Sequence, residues 1–264
     1  MASNGLEMAL GTVITGAELV TPGWLTAVLR RAGVLDRGAV TAVDAARLPH
    51  LAVSYSADAP ASAPPTLYLK LGRQGGPASE VGHLEARVYR ALAAYRDDLP
   101  MVLRCYDAVW DAARDASHVL LADFSATHAL QTMLIPPPDA REAITDCTAR
   151  FHAYWWQHPR RDLFTAYDSN IELDCTDADR YAAYVARYRE AYPYFVDFVG
   201  DALAADDRAR YEALLAALPR LWSRYLAPRF AAWEALTLVQ GDSHWGQFAL
   251  PRQGSGAGTL MMDL

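Results

Sequence analysis

Near the end of the chain, Val239-Gln240-Gly241-Asp242-Ser243-His244-Trp245-Gly246-Gln247-Phe248 puts three useful groups into one short loop between β-type runs: a carboxylate, a histidine two positions on and a side-chain amide five positions on. Transfer of a phosphoryl group asks for a carboxylate to take the proton of the attacking hydroxyl and for hard oxygen ligands to hold magnesium. Asp242 suits the first task, and the Gln247 amide can contribute to the second. Gly-Asp-Ser is also common turn composition. A turn alone, however, does not call for the His-x-x-Gln that follows or for the apolar run beyond it.

Two further positions could serve the same chemistry. Lys70 sits inside the apolar run Leu67-Tyr68-Leu69-Lys70-Leu71, where a lysine must be paired or aimed at an anion. Fifteen residues on, Glu85 lies on or near the helical face that carries Leu84 and Val88. A strand lysine paired with a helix glutamate can hold the α- and β-phosphates of a nucleotide. An outward-facing lysine on an edge strand with a solvated glutamate is the plainer alternative for this pair. Asp263 ends the apolar run Leu260-Met261-Met262, a fitting place for a magnesium-bridging carboxylate if a hairpin returns it to the Asp242 loop.

These groups need elements to position them. Residues 39–43, 51–55, 67–71 and 119–122 read as short strands, each bounded by Pro, Gly, Asp or Ser. Thr21-Pro22 opens a helix with Trp24, Leu25, Val28 and Leu29, with Thr21 as cap and Pro22 in the first helical position. A second helix begins near Ser79 or Glu80 and aligns Leu84, Val88, Tyr89 and Leu92. After Pro136-Pro137-Pro138 the pattern turns helical, over 139–157 and again from about 178 to 233. Strand-like runs return at 236–239, 248–250 and 259–262, the last two around a glycine-rich turn.

The bulk properties narrow the field. The 264 residues carry 24 basic and 31 acidic side chains, a net charge of -7, and no basic run, which argues against a nucleic-acid partner. No apolar run approaches the ~20 residues needed to span a bilayer, and the first residues lack a signal-peptide pattern. A cytoplasmic location is therefore the expectation, with no membrane partner. Cys105, Cys147 and Cys175 have no metal-ligand spacing and read as free thiols, and the seven histidines form no His-x-x-x-His pair. No Gly-x-Ser-x-Gly elbow anchors acyl transfer. Tyr154, Trp155 and Trp156 read as helix packing, and His152 as a core or near-core histidine.

Taken in order, these residues resemble the aminoglycoside phosphotransferase and choline kinase-like family, distant relatives of protein kinases. Lys70 matches the family's strand lysine, and Glu85 in Glu-Ala-Arg-Val-Tyr-Arg its helix glutamate. Val119-Leu-Leu-Ala-Asp123-Phe-Ser is similar to the hinge strand, Phe151-His152-Ala153 to the Leu-His-Ala helix, Gly241-Asp242-Ser243-His244 to the catalytic loop and Met261-Met262-Asp263 to the last strand. The resemblance covers nearly the whole chain and implies an α+β, two-lobed protein-kinase-like fold. Its small N-terminal lobe, with an antiparallel sheet and helices, would span 1–124, and its larger, mainly helical lobe 125–264. It further implies ATP and Mg2+ as cofactors and a small-molecule hydroxyl as phosphate acceptor. Asp242 would be the catalytic base, Lys70 the phosphate contact braced by Glu85, and Ala122 and Phe124 the hinge residues whose backbone meets adenine. Gln247 and Asp263 would be magnesium ligands, and His244 would support the loop.

The chain departs from that pattern at four points. Gln240 stands where the family usually has His, and Gln247 replaces the usual Asn. Asp44-Ala-Ala-Arg-Leu-Pro-His50 offers no glycine to let a backbone close over phosphates. The sequence also ends one residue after Asp263, where the family continues, so either the helical lobe is truncated or the sequence is a partial one. A nucleotide-binding scaffold without transfer activity, a pseudokinase, is the alternative these departures motivate.

Overall fold

The computed structural model describes residues 11–72, 77–132, 135–160, 177–240 and 243–262. The chain divides into two compact units, one made of residues 1–151 with 242–264 and the other of 152–241. The fold is mixed α+β and includes a five-stranded antiparallel sheet. Among the described residues no helix is long and apolar enough to cross a membrane.

In the first unit, β1 (Val40–Arg47), β2 (His50–Tyr55), β3 (Thr66–Leu71), β4 (Cys105–Asp111) and β5 (Ala116–Ala122) form a sheet in the order β1-β2-β3-β5-β4. Successive side chains of a strand point to opposite faces, and β3 uses both. Leu67 and Leu69 pack beneath α1 (Pro22–Arg31) with Trp24, Leu25, Val28, Leu29, Leu51 and Leu120. Tyr68 lies on the other face, in a core with Ala86 and Tyr89 of α2 (Pro77–Leu92) and Val119 and Leu121 of β5. Each leucine buried in this way contributes about 1.5–3 kcal/mol. α1 starts as expected, with Thr21 Oγ1 accepting from Trp24 N at 3.2 Å and Pro22 at its head.

Strand β4 carries two aspartates and an alanine, residues poorly suited to strands, which hides it in the sequence. Tertiary pairing rescues it. The buried Asp107 accepts from Arg31 Nη2 at 2.7 Å and from His118 Nε2 at 3.2 Å. His118 Nδ1 in turn accepts from Ile14 N at 3.0 Å, so the ring proton sits on Nε2 and the segment ahead of α1 is pinned to β5.

A second, three-stranded sheet follows, in which β7 (Phe248–Pro251) lies between β6 (His128–Leu130) and β8 (Leu260–Met261). The two late strands fall where the sequence puts them, whereas the three-residue β6 carries no strand signal. β6 pairs with β7, and both strands belong to the first unit. α3 (Pro138–Trp155) buries Ile144, Cys147, Phe151 and Trp155, the face its apolar spacing predicts.

The second unit is helical. α4 (Ala178–Val199) and α5 (Ala205–Leu221) run antiparallel, joined by Tyr181 Oη donating to Leu218 O at 2.8 Å and by the Phe195–Tyr211 ring contact at 5.4 Å. A π-turn at Trp222–Leu226 leads into α6 (Ala227–Ala232). Residues 236–239, expected as a strand, are not one. Leu236 O accepts from Gln157 N at 2.9 Å, and Thr237 Oγ1 donates to His152 O at 2.7 Å, so this segment bonds groups at the end of α3 and, among the described residues, pairs with no strand. Trp155 is fully buried and Trp156 half-exposed. His152 is partly buried, and that burial holds its pKa below the usual histidine value.

Thr26 links α1 to β1, donating to Pro22 O at 2.7 Å and accepting from the buried Val40 N at 2.9 Å. Replacing it with valine keeps the shape but strands the Val40 N–H. Urea unfolding of Thr26→Val is expected to lose about 1–3 kcal/mol at an unchanged m-value.

Candidate functional site

β3 and α2 meet at the pair the sequence singled out. Lys70 Nζ donates to Glu85 Oε1 at 2.9 Å. The Glu85 side chain is 8% exposed, whereas 35% of the Lys70 side chain remains exposed. The pair is therefore lopsided: its carboxylate is buried and its lysine side chain partly exposed. The plainer picture of an edge-strand lysine is excluded, since β3 lies between β2 and β5 and Lys70 stands opposite Val119.

The alternation that turns Lys70 toward α2 does the same for Tyr68. Its ring lies 5.9 Å from Phe124, tilted by 42°, and 5.3 Å edge-on from His50, its partner across β2. His50, Tyr68 and Phe124 thus form an aromatic ledge beside the lysine. The sequence reading does not single out Tyr68, yet the signal is simple: an aromatic two residues before a strand lysine shares its face.

The segment after β5 is tightly tied. Ala122 N donates to Arg104 O at 2.8 Å, and Phe124 O accepts from Thr127 N at 3.0 Å and His128 N at 2.8 Å. Those groups of the expected hinge are engaged within the chain. Asp123 between them accepts from Ser125 N at 2.9 Å and lies 3.5 Å from His50 Nδ1. Burial alone would raise its pKa. Hydrogen bonds from Ser125 and Thr66 and the nearby His50 outweigh that and hold the carboxyl below the usual aspartate value. The stability this shift contributes is present above the unfolded aspartate range and is lost as pH falls through the lower folded value.

His244, Trp245, Gly246 and Gln247 form a 3₁₀ turn ahead of β7. His244 caps it, Nδ1 accepting from Gly246 N at 3.1 Å and its carbonyl from Gln247 N at 3.0 Å. Glycine suits position 246, because a Cβ there would come within 2.9 Å of the His244 ring. The Gln247 carbonyl accepts from Met262 N at 2.7 Å. That bond ties Gln247 to the residue preceding Asp263 in sequence. Ala249, Leu260 and Met262 pack in the core shared by Tyr68, Ala86, Tyr89 and Phe124, so the hairpin and the Lys70 face of the sheet rest on one apolar cluster. Asp242 and Asp263 themselves lie outside the described residues.

The arrangement offers a partly exposed lysine with a buried counter-charge, a cluster of aromatic rings set at angles to one another beside it, and an amide in the turn ahead of a hairpin packed against the same core. An amide oxygen with a carboxylate is a hard donor set of the kind magnesium prefers, so the sequence positions 247 and 263 suit that ion. No protein-family model matches this chain, and no curated protein matches it.

The two thiols among the described residues, Cys105 and Cys147, are kept out of chemistry, and Cys175 lies outside those residues. Burial, with Asp107 beside it, pushes Cys105 up to about 12, and burial, with Asp146, pushes Cys147 up to about 11. At pH 8 the thiolate fraction at either is then about one in a thousand or less. Iodoacetamide at that pH is expected to leave Cys105 and Cys147 unmodified in the native protein and to alkylate both in urea, as read by peptide mass spectrometry.

Proposed function

We propose that this chain is an ATP- and magnesium-dependent phosphotransferase acting on the hydroxyl of a small molecule, with a two-lobed kinase-like arrangement. The observation that carries this reading is the ion pair between Lys70 on the third strand and Glu85 on the helix that follows it, the pairing that positions nucleotide phosphates in protein kinases. Glu85 holds the lysine ammonium at a fixed height above the sheet, where it meets the phosphate oxygens. The Tyr68 ledge takes the base, with the backbone of the Ala122–Phe124 segment at its side. Asp242 orients the acceptor hydroxyl and receives its proton, and His244 keeps the turn after it in shape. Gln247 and Asp263 would hold magnesium, which supplies charge neutralisation along the phosphates. Catalysis of this kind is mostly positioning and charge stabilisation. The net charge of -7 suits a cationic acceptor, such as an aminoglycoside or choline, in the cytoplasm.

One observation favours a second reading, a nucleotide-binding scaffold without turnover. The hairpin between β1 and β2 closes directly through Leu48-Pro49, with no glycine to approach phosphates. Thermal shift with Mg-ATP, followed by ATP turnover against amino alcohols and sugars, separates the two. Stabilisation with turnover supports the phosphotransferase, stabilisation alone the scaffold, and neither response removes both.

Two substitutions examine the roles. Asp242→Asn is expected to lower turnover roughly 10²–10⁴-fold, the share typical of a general base, with an unchanged circular dichroism spectrum. Retained turnover would remove Asp242 from the mechanism. Tyr68→Ala is expected to weaken ATP binding roughly tenfold while leaving inorganic tripolyphosphate binding unchanged, because stacking concerns only the base. Calorimetric titration reads both ligands, and an equal loss for both would place Tyr68 outside the base site.

A further inference from the structure

β4 is an outer strand of the five-stranded sheet, and a cavity of about 340 Å³ lies along it. That volume is at the low end for small-molecule sites, which run from roughly 300 to 1,000 Å³. Two arginines from different helices line it, Arg31 in the last turn of α1 and Arg90 in the last turn of α2. Neither bonds the carbonyls of its own helix end, a service that Arg104 Nη2 gives to Ala32 O after α1 at 3.3 Å. Instead Arg31 Nη2 donates to Asp107 Oδ1 at 2.7 Å, and Arg90 donates to Ala108 O through Nη2 and, at 3.2 Å, through Nε. Two guanidinium groups are thus anchored on successive residues of one strand and border the same cavity.

The charges around this cavity do not balance. Asp107 offsets Arg31, and its other oxygen is taken by His118 Nε2 at 3.2 Å. His118 is neutral, because its Nδ1 accepts from Ile14 N. Ala108 O carries no formal charge, so Arg90 has no carboxylate partner among the described residues. Glu85, whose field reaches Cys105 on the cavity wall, is already bonded to Lys70. One positive charge is left over, in a chain whose net charge is -7. A guanidinium carries five N–H groups, and the bonds to Ala108 O occupy the Nε side of Arg90. The end edge, formed by Nη1 and the second hydrogen of Nη2, has the spacing of two carboxylate oxygens. Beside it the wall is apolar, made by the buried Ala108 and Val109.

We propose that this cavity binds a compact organic monocarboxylate, with Arg90 taking the carboxylate end-on, Arg31 adding a donor beside it, and Ala108 and Val109 meeting the apolar body. The charge count selects a monoanion. A phosphate carries about -1.5 to -2 near pH 7, more than the single uncompensated charge, and Asp107 on the same wall repels the excess. The site lies within the first unit and stands whether or not the chain binds a nucleotide. Arginines that only staple α1 and α2 to β4 would need no ligand, and a binding measurement separates the two roles.

The experiment titrates benzoate into the isotope-labelled full-length chain and follows backbone amide shifts by NMR, with benzamide as the neutral analogue and inorganic phosphate as the more highly charged one. Saturable shifts are expected at Ala108 and Val109, with a Kd of roughly 1 mM or tighter for a ligand of this size. Benzamide and phosphate are expected to bind about tenfold more weakly or less, because only benzoate supplies the single charge that Arg90 lacks. Arg90→Gln is expected to weaken benzoate about tenfold. Arg30→Gln removes an exposed arginine of α1 that bonds Gly38 O outside the cavity, and is expected to stay within about twofold of wild type. Absence of saturable shifts at those two amides overturns the proposal, as does an equal response to benzoate and benzamide or phosphate binding as tight as benzoate. So does a benzoate affinity that Arg90→Gln leaves unchanged, or that Arg30→Gln lowers as much. The wild-type comparison of the three probes decides the matter by itself if Arg90→Gln loosens α2.

Discussion

Taking a carboxylate out of water costs several kcal/mol unless a partner meets it at close range. Glu85 is placed where that cost is felt, one residue before the buried Ala86 and four before the buried Tyr89. Lys70 offsets the cost from the facing strand at 2.9 Å. Much else in the first unit serves this meeting. The β3–β5 register puts Lys70 opposite Val119, in the interior of the sheet. α1 covers the opposite face with Trp24, Leu25, Val28 and Leu29, leaving the Lys70 face to α2. Had the lysine been on an outer strand, water would have competed for its ammonium, and the glutamate could have stayed solvated.

The same apolar cluster extends to the hairpin. Ala249, Leu260 and Met262 pack with Tyr68, Ala86 and Tyr89, so the strand that presents the cation and the strand that leads to Asp263 share one foundation. A site built this way does not depend on long loops to hold its parts, which favours precise placement of charged groups. The His118–Asp107–Arg31 network plays a comparable part at the far edge, fixing β4 and the segment at Ile14.

Where the sequence pattern is periodic, it is legible. The runs containing Leu51, Leu67 and Leu120 are strands, the α2 residues Tyr89 and Leu92 face the core, and Thr21 caps α1 as its chemistry predicts. The Lys70–Glu85 pairing was readable only as one of two alternatives, since a lysine in an apolar strand either meets a partner or faces water from an edge. What could not be read depends on distant partners. β4 is a strand because Asp107 is met by Arg31, 76 residues away, as well as by His118 of the adjoining strand. β6 exists because β7 offers it an edge. Residues 236–239 have strand-like composition, but their hydrogen bonds go to the end of α3. His128 looks like any loop histidine until Gly258, 130 residues away, is brought to its ring.

The alternation in β3 also makes the site sensitive to chain length in a way that composition is not. Deleting one residue between Thr66 and Tyr68 would exchange the two faces, bringing the lysine under α1 and a leucine opposite Glu85. An insertion at Gly254–Gly258 would do nothing comparable, since doubling a flexible turn costs only about 0.6 kcal/mol in closure entropy. Over evolutionary time, descendants of this chain can therefore drift in length at the glycine-rich turn, while β3 must keep its count even as its residues change.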